Sequence, residues 1–208
     1  MAPVIAPFSE TEIVGSEYDA WNNEHLLGTD NLGRDMFTRL IYGGRNTVGV
    51  AFITTVLAFL IGGLGGLLAA AMRGWVDQVL SRMMEILMAI PSFIFALLIL
   101  TIVGTSVPSL IMVIAVLDAT RVFRLARAVA MNVVVLEFVK AASLRGEGLW
   151  WIIRSEILPN VLPPLVAEFG LRFCFVFLFL SGLSFLGLGI QPPTADWGSM
   201  VRDNATLI

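Results

Sequence analysis

The chain has 208 residues, of which 57% are apolar and 14% are charged; its net charge is -3 and its mean hydropathy is +0.86. A soluble domain usually has about 45–50% apolar and about 25% charged residues, so the composition excludes an ordinary soluble domain. It predicts an all-α, polytopic transmembrane helix bundle. The sequence contains no basic tract of the kind that binds nucleic acid.

Residues 1–45 precede the first long apolar run and contain most of the acidic side chains of the chain's first half. We predict that they form an external segment leading into the first visible span. The start has neither the basic region nor the apolar stretch of a signal peptide. We therefore expect the chain to be a fragment that lacks an upstream helix.

The first predicted span runs from Asn46 to Met72, between Arg45 and Arg73, and contains no charged residue. It exceeds the roughly 20 residues that cross the hydrocarbon core of a bilayer. Within it, Gly62 and Gly66 have the spacing of small residues that allows two membrane helices to approach closely.

Three further spans are predicted at about Ile86 to Val103, Val107 to Ala119 and Val161 to Leu188. The third is short, and we expect it to extend past Asp118. Pro91 lies inside the second span and should kink it, because proline removes a backbone hydrogen bond. Residues 46–188 would therefore be the transmembrane domain, followed by an external tail at 189–208.

The orientation follows from the basic residues, which membrane proteins retain in cytoplasmic loops. The segment at about 121–160 should be cytoplasmic, because it contains Arg121, Arg124, Arg127, Lys140, Arg145 and Arg154. This segment is also amphipathic, with apolar residues at near-helical spacing. Glycine at 146 and 148 permits a sharp turn, so we predict two helices joined at that point.

Two charged pairs lie within predicted spans. Glu168 and Arg172 are four residues apart, and Asp118 and Arg121 are three apart, so each pair shares a helix face. Glu168 and Arg172 either line a translocation path or form an internal ion pair that helps the bundle assemble. For Asp118 and Arg121 we favour the internal ion pair, because they lie at the predicted cytoplasmic boundary.

The sequence predicts no catalytic residues and no metal site. Ser, His and acidic residues do not gather in one segment, and His25 has no second His or Cys nearby. Lys140 is the only lysine and lies in no phosphate-binding motif, so ATP hydrolysis would belong to another polypeptide. Cys174 is the only cysteine of the sequence, so an intrachain disulfide is excluded. Because it lies in an apolar run, we expect its thiol to be buried.

The segment from Phe138 to Gly146, followed by Ile157-Leu158-Pro159-Asn160, resembles the coupling loop of binding-protein-dependent ABC permeases. Lys140 stands where that family has a glutamate. The resemblance implies a coupling helix at about residues 137–150 that docks on a cytoplasmic ATPase. The residues it assigns to this contact are Phe138, Lys140, Ala141, Ala142, Gly146, Leu158 and Pro159.

Two other segments resemble the dipeptide, oligopeptide and nickel branch of that family. The first runs from His25 to Asp35; the second runs from Leu183 to Gly189 and continues through Gln191-Pro192-Pro193 and Asp196-Trp197-Gly198. Permeases of this branch have six spans, so the resemblance implies that the first and last are missing here.

The resemblance implies a multi-pass permease subunit of an ATP-driven importer in a prokaryotic inner membrane. Its implied partners are two ATP-binding subunits, a second and non-identical permease, an external substrate-binding protein and the lipid bilayer. ATP and magnesium would bind to the ATPase, and this chain would bind no cofactor. The alternative is an ion-coupled secondary transporter using Glu168, Arg172 and Asp118, but the inverted repeat typical of such transporters is not visible.

Overall fold

A computed structural model describes residues 5–205 of the chain. Within them the secondary structure is helical, apart from two isolated antiparallel bridges that join Ile13 to Arg34 and Thr29 to Asp35. The helices are α1 Met36–Met72, α2 Gly74–Ala89, α3 Ser92–Val103, α4 Val107–Val134, α5 Glu137–Leu144, α6 Leu149–Ile152, α7 Leu158–Phe185 and α8 Trp197–Asn204, with a π-helical turn at Ile153–Ile157 between α6 and α7. The predicted all-α class is confirmed.

Two helical stretches are long and apolar enough to cross a membrane: α1 and the continuous stretch Leu149–Phe185, each of 37 residues. Counting α2 and α3 together as one bent span gives a third. The third span predicted from the sequence corresponds to α4, which extends past Asp118 as expected. By length and composition α4 is not among these spans, because its charged residues interrupt the apolar run.

The structure breaks the second predicted span at Pro91. Helix α2 ends at Ala89, α3 begins at Ser92, and their axes differ by 87°. The Pro91 ring disfavours helical angles at the residue before it, and Ile90 is accordingly extended, with φ -95° and ψ 134°. The predicted kink is therefore a bend of nearly a right angle between two separate helices.

The chain divides into two compact units, and the first comprises the described residues of 1–53, 97–111 and 177–208. Its packing centres on Trp197, which lies against Gly43 and Gly44 of α1. The Trp197 indole N–H donates to the Leu40 carbonyl oxygen at 2.9 Å, and its ring makes an edge contact with Phe177. Glycine at 43 and 44 allows this approach, because a Cβ at either position would lie 2.9 Å from the ring.

The second unit comprises residues 54–96 and 112–176. Gly66 lies against the Phe123 backbone of α4, where a Cβ would come within 2.7 Å of the carbonyl oxygen, and a Cβ at Gly62 would overlap the Ala119 carbonyl oxygen. The predicted close helix contact at these glycines is therefore confirmed. Cys174 is exposed, so the prediction of a buried thiol was wrong; apolar runs of membrane helices also face outwards.

Candidate functional site: the α5–α6 helical loop and the buried ion pairs

Helix α5 is amphipathic and buries one face. Val139 and Ala142 are buried, and Ala142 has no exposed surface. Val139 packs in an apolar cluster with Ile153 and Ile157 of the π-helical turn and with Val133 at the end of α4. This burial fixes the helix on the segments that precede and follow it in the chain.

The turn after α5 has a left-handed residue at Gly146, with φ +84°. The Gly146 N–H donates to the Ser143 carbonyl oxygen at 3.0 Å, and the Glu147 N–H to that of Ala142 at 3.3 Å. Helices often end on such a glycine, because residues with a Cβ are strained in this conformation. Helix α6 begins at Leu149, so the break lies where the glycines predicted it.

The other face of this helical loop carries large apolar side chains that contact little of the chain. Leu144 is 89% exposed and Trp150 is 60% exposed, while Phe138 is 40% exposed. Soluble surfaces rarely expose such groups together, and apolar patches of this kind mark contacts with another protein or a membrane. The loop therefore has a buried face and an open apolar face.

The turn also contains a charged group, Arg145, that links it to the π-helical turn before α7. An Arg145 nitrogen lies 4.0 Å from a Glu147 carboxylate oxygen, and another lies 3.9 Å from Glu156. Its guanidinium carbon is 5.9 Å from the centre of the Trp151 ring. These groups are partly exposed, so each contact contributes little to stability.

The residues predicted to contact an ATPase divide by burial. Ala142 is buried and Leu158 is half-buried, whereas the exposed ones are Phe138, Lys140, Ala141, Gly146 and Pro159. Ala142 therefore lies on the face turned toward the chain itself. Sequence reasoning did not include Leu144 and Trp150 among these residues, although both are apolar and lie within the predicted helix at about residues 137–150.

A network of ion pairs joins α4 and α7 in the second unit. The Arg172 Nε lies 2.7 Å from Glu168 Oε1, and the Arg172 Nη1 lies 3.6 Å from Asp118 Oδ1. The same Asp118 oxygen accepts a hydrogen bond from Arg121 at 3.3 Å. The two pairs predicted along separate helices thus meet at Asp118.

Asp118 is the most buried member of this network, with 5% of its side chain exposed. Its Oδ2 atom has no hydrogen-bond partner in the described part of the chain. A buried carboxylate oxygen without a donor is costly, so a rearrangement that brings a donor to this oxygen would be favoured. The arrangement suits a polar lining or a gate whose partners change.

A second interhelical pair was not predicted from the sequence. Arg127 of α4 donates to both carboxylate oxygens of Asp77 of α2, through Nε to Oδ1 and through Nη2 to Oδ2 at 2.7 Å. Such a two-point contact fixes geometry as well as charge. No spacing in the sequence could indicate it, because the partners are 50 residues apart.

The segment His25 to Asp35 in the first unit is held by buried charges. Asp30 accepts from the Arg34 Nε at 2.8 Å and lies 3.2 Å from the Arg39 Nε, while His25 Nδ1 lies 3.3 Å from Asp35 Oδ1. Burial raises the pKa of the Asp30 carboxyl, but hydrogen bonds from the Arg34 side chain and from two backbone N–H groups together lower this pKa by more than burial raises it. The net pKa lies below its ordinary value, so Asp30 is a carboxylate.

Asp196 organises the segment near the chain's end. Its Oδ2 accepts from the Ser199 N–H at 2.9 Å and caps α8. Its Oδ1 accepts from the Thr47 hydroxyl of α1, also at 2.9 Å. These contacts account structurally for the Asp196-Trp197-Gly198 motif, because Gly198 lies where a Cβ would contact the Ser184 side chain at 2.7 Å.

Comparison with known protein families relates this chain to membrane components of transport systems. Residues 62–208 match the family model described as binding-protein-dependent transport system inner membrane component. The match includes the α5–α6 helical loop, the Asp118 ion-pair network and the capped α8.

Several curated relatives are named as permeases. A dipeptide transport system permease protein DppC of Alkalihalophilus pseudofirmus is 37% identical over 89% of this chain and 61% of its own length. That of Haemophilus influenzae is 33% identical over 98% of this chain and 71% of its own length. A glutathione transport system permease protein GsiD of Pectobacterium atrosepticum is 31% identical over 90% of this chain and 64% of its own length. The chain thus spans about two thirds of the length of these relatives.

Among solved structures, an inward-facing conformation of the MetNI methionine ABC transporter is similar to this chain. The TM-score is 0.68 at 20% identity, and the match covers 83% of this chain and 82% of the other. This similarity concerns the fold and agrees with the predicted permease-like helix bundle.

Proposed function

Because the chain belongs to the family of inner membrane components of binding-protein-dependent transport systems, we propose that it is the permease subunit of an ATP-driven peptide importer. It is a multi-pass inner membrane protein. In the proposed role it forms the translocation path together with a second, non-identical permease chain. A separate ATPase supplies the energy, and ATP and magnesium bind to that partner.

The single observation that carries the proposal is the two-faced helical loop formed by α5 and α6. Its inner face is fixed by Val139 and Ala142, and its outer face presents Leu144 and Trp150. A rigid helix with an open apolar face suits docking in a groove of a partner. Movement of that partner would be transmitted through the π-helical turn directly into α7.

The cargo is proposed from the relatives, whose names refer to dipeptides and glutathione. Both are short peptides with a free carboxylate. A substrate-binding protein would deliver them, in keeping with the description of the family. Two ATP-binding subunits, one for each permease chain, complete the proposed assembly.

The Asp118 network supports a role for Glu168 and Arg172 in the path. Asp118 holds two arginines on one oxygen and leaves the other without a donor. That oxygen is buried, so cargo would reach it only after α4 and α7 rearrange during transport. No observation favours the alternative, an ion-coupled secondary transporter that uses Glu168, Arg172 and Asp118.

The proposal is tested by co-purification of the ATPase with the full-length permease in detergent. Leu144→Asp places a charge on the open face without touching the buried one. It should reduce ATPase recovery at least about tenfold, as expected for loss of an apolar anchor at an interface. Leu26→Asp is the matched control, because Leu26 is 60% exposed and lies in the external segment.

Two further variants separate docking from folding of the loop. Gly146→Pro cannot adopt the left-handed angle at Gly146, and Ala142→Arg places a charge in the apolar cluster. Both should lose the ATPase together with stability, whereas Leu144→Asp should lose only the ATPase. Equal ATPase recovery for wild type and Leu144→Asp would contradict the proposed docking face. If wild type recovers no ATPase at all, the importer proposal fails.

A further inference from the structure

The second unit contains a groove with a volume of about 830 Å³, lined by α2 and α4. Met84 and Met88 of α2 and Phe123 of α4 contribute apolar surface. Glu85, Arg124 and Arg127 are the charged residues of the lining. The Arg127 guanidinium is paired with Asp77, so Glu85 and Arg124 remain as one charge of each sign. A groove of this size accommodates a small peptide, because sites for drug-sized ligands measure about 300–1,000 Å³.

Arg124 differs from the other two arginines of α4. Arg121 pairs with Asp118 and Arg127 pairs with Asp77, whereas Arg124 has no carboxylate within 4.0 Å in the described part of the chain. The contact that the structure gives its guanidinium is the Met88 sulfur at 3.8 Å, a poor acceptor. The Arg124 donors are therefore available to an anionic ligand.

Glu85 is also available. It pairs with Arg82 at 2.9 Å, but both side chains are mostly exposed. Exposed pairs of this kind contribute little and are easily exchanged. None of the residues of α2 is buried within the chain, so the α2 side of the groove is accessible.

We propose that this groove binds peptide cargo during translocation, with Arg124 taking the C-terminal carboxylate and Glu85 taking the N-terminal ammonium. This inference rests on the proposed importer function and names the contact that recognises its substrate. The methionine side chains would accommodate varied cargo side chains, because methionine is flexible and polarisable. Arg124 and Glu85 would then bind the C-terminal carboxylate and the N-terminal ammonium, which all such peptides have in common.

The pairing of charges favours a zwitterionic peptide over an anionic lipid. A lipid phosphate would be attracted by Arg124, but the Glu85 carboxylate lining the same groove would repel it. A peptide with free ends satisfies both side chains at once. The groove therefore fits the peptide better than a ligand of a single sign.

The test measures binding of labelled alanyl-alanine to the complete importer in lipid nanodiscs, without the substrate-binding protein. The free acid, its C-terminal amide and its N-acetyl form are compared. Arg124→Gln should weaken binding of the free acid about tenfold or more, as expected for loss of a charged hydrogen bond, and should leave the amide unchanged. Glu85→Gln should act in the same way on the free amine relative to the N-acetyl form. Arg45→Gln, an exposed arginine of the first unit, is the matched control.

Loss of discrimination between acid and amide in Arg124→Gln, with wild-type discrimination in Arg45→Gln, supports the assignment. Equal binding by Arg124→Gln and wild type overturns it, as does an equal loss for acid and amide. If Arg124→Gln loses bound phosphatidylglycerol and keeps peptide binding, the groove is a lipid site and the proposal is wrong. Peptide uptake by the wild-type importer with its binding protein separates failure of the groove proposal from failure of the importer proposal. Uptake without an Arg124 effect rejects only the groove, and absence of uptake rejects the importer.

Discussion

The predicted external segment and the helical loop formed by α5 and α6 stabilise their shapes in opposite ways. Residues 25–35 leave the Leu26 and Leu32 side chains mostly exposed, yet Asp30, Arg34 and Asp35 are buried. Asp30 pairs with Arg34 and accepts its backbone N–H, and Asp35 lies against His25. The loop formed by α5 and α6 has an apolar inner face and leaves Leu144 and Trp150 uncovered. The external segment satisfies its own polar groups, whereas the loop leaves apolar surface for a partner.

This difference indicates where each region is vulnerable. A buried charge that loses its partner cannot be solvated, so a single substitution in the external segment should be severe. On the loop, the inner face determines stability and the outer face determines association. The predictions below test these distinctions in order of decreasing effect.

The largest effect is expected for Asp30→Asn. The substitution leaves Arg34 and Arg39 buried without their carboxylate and should cost about 3–5 kcal/mol. The measurement is the midpoint of thermal unfolding in detergent, combined with proteolysis of residues 1–45. Glu24→Gln, at an exposed acid of the same segment, should have almost no effect. If both variants unfold alike, the external segment is not held by its buried charges.

The next effect concerns the close packing of α1 on α4. Gly62→Ala would place a methyl group against the Ala119 backbone, which cannot rotate away, and should destabilise the protein by about 1–3 kcal/mol. Gly63→Ala is the matched control, because no atom lies within 4 Å of its added Cβ. Thermal unfolding of both variants measures the difference. Equal midpoints would show that α1 and α4 can separate at no cost.

A smaller difference is expected between two neighbouring alanines of α5. Ala142→Leu overfills a site with no exposed surface and should cost about 1–2 kcal/mol. Ala141→Leu lies on the exposed face and should change stability by less than about 0.5 kcal/mol. Unfolding in detergent compares the pair, and ATPase co-purification should respond to Ala141→Leu instead. A stability loss for Ala141→Leu would show that the inner face of α5 has been assigned incorrectly.

The smallest effect is the pH dependence of the external segment. The pKa of Asp30 is lowered from its ordinary value of 3.8 in the folded protein. Its stabilisation is therefore fully present above pH 3.8 and is lost as the pH falls through the lowered value. Proteolysis of residues 1–45 should increase in that acidic range. Asp30→Asn should remove this part of the pH dependence, and an unchanged profile would contradict it.

Much of the fold was predictable because its signals are local. A charge-free apolar run identified α1, Pro91 marked the break between α2 and α3, and Gly146 marked the turn after α5. The helix contact at Gly62 was also visible, because small residues at this spacing permit close approach. Each of these features depends on residues close together in sequence.

The candidate site was predictable in part. The helical spacing predicted the contact between Glu168 and Arg172, and a sequence motif supplied the set of residues predicted to couple to an ATPase. Burial divided the coupling residues, placing Ala142 inside and leaving Leu144 outside the predicted set. Cys174 was predicted to be buried and is exposed, because an apolar neighbourhood in a membrane helix does not specify which side faces the bundle.

The sequence by itself determined the class of protein, its apolar helices and its turns, since these follow from composition, periodicity and local backbone preferences. Only the tertiary structure decided that Asp118 joins Arg172, that Asp77 pairs with Arg127, and that Arg124 has no carboxylate partner among residues 5–205. These outcomes depend on which helix faces meet after the chain has folded. Charge pairing between distant segments has no periodic signature, so three-dimensional packing alone selects the partners.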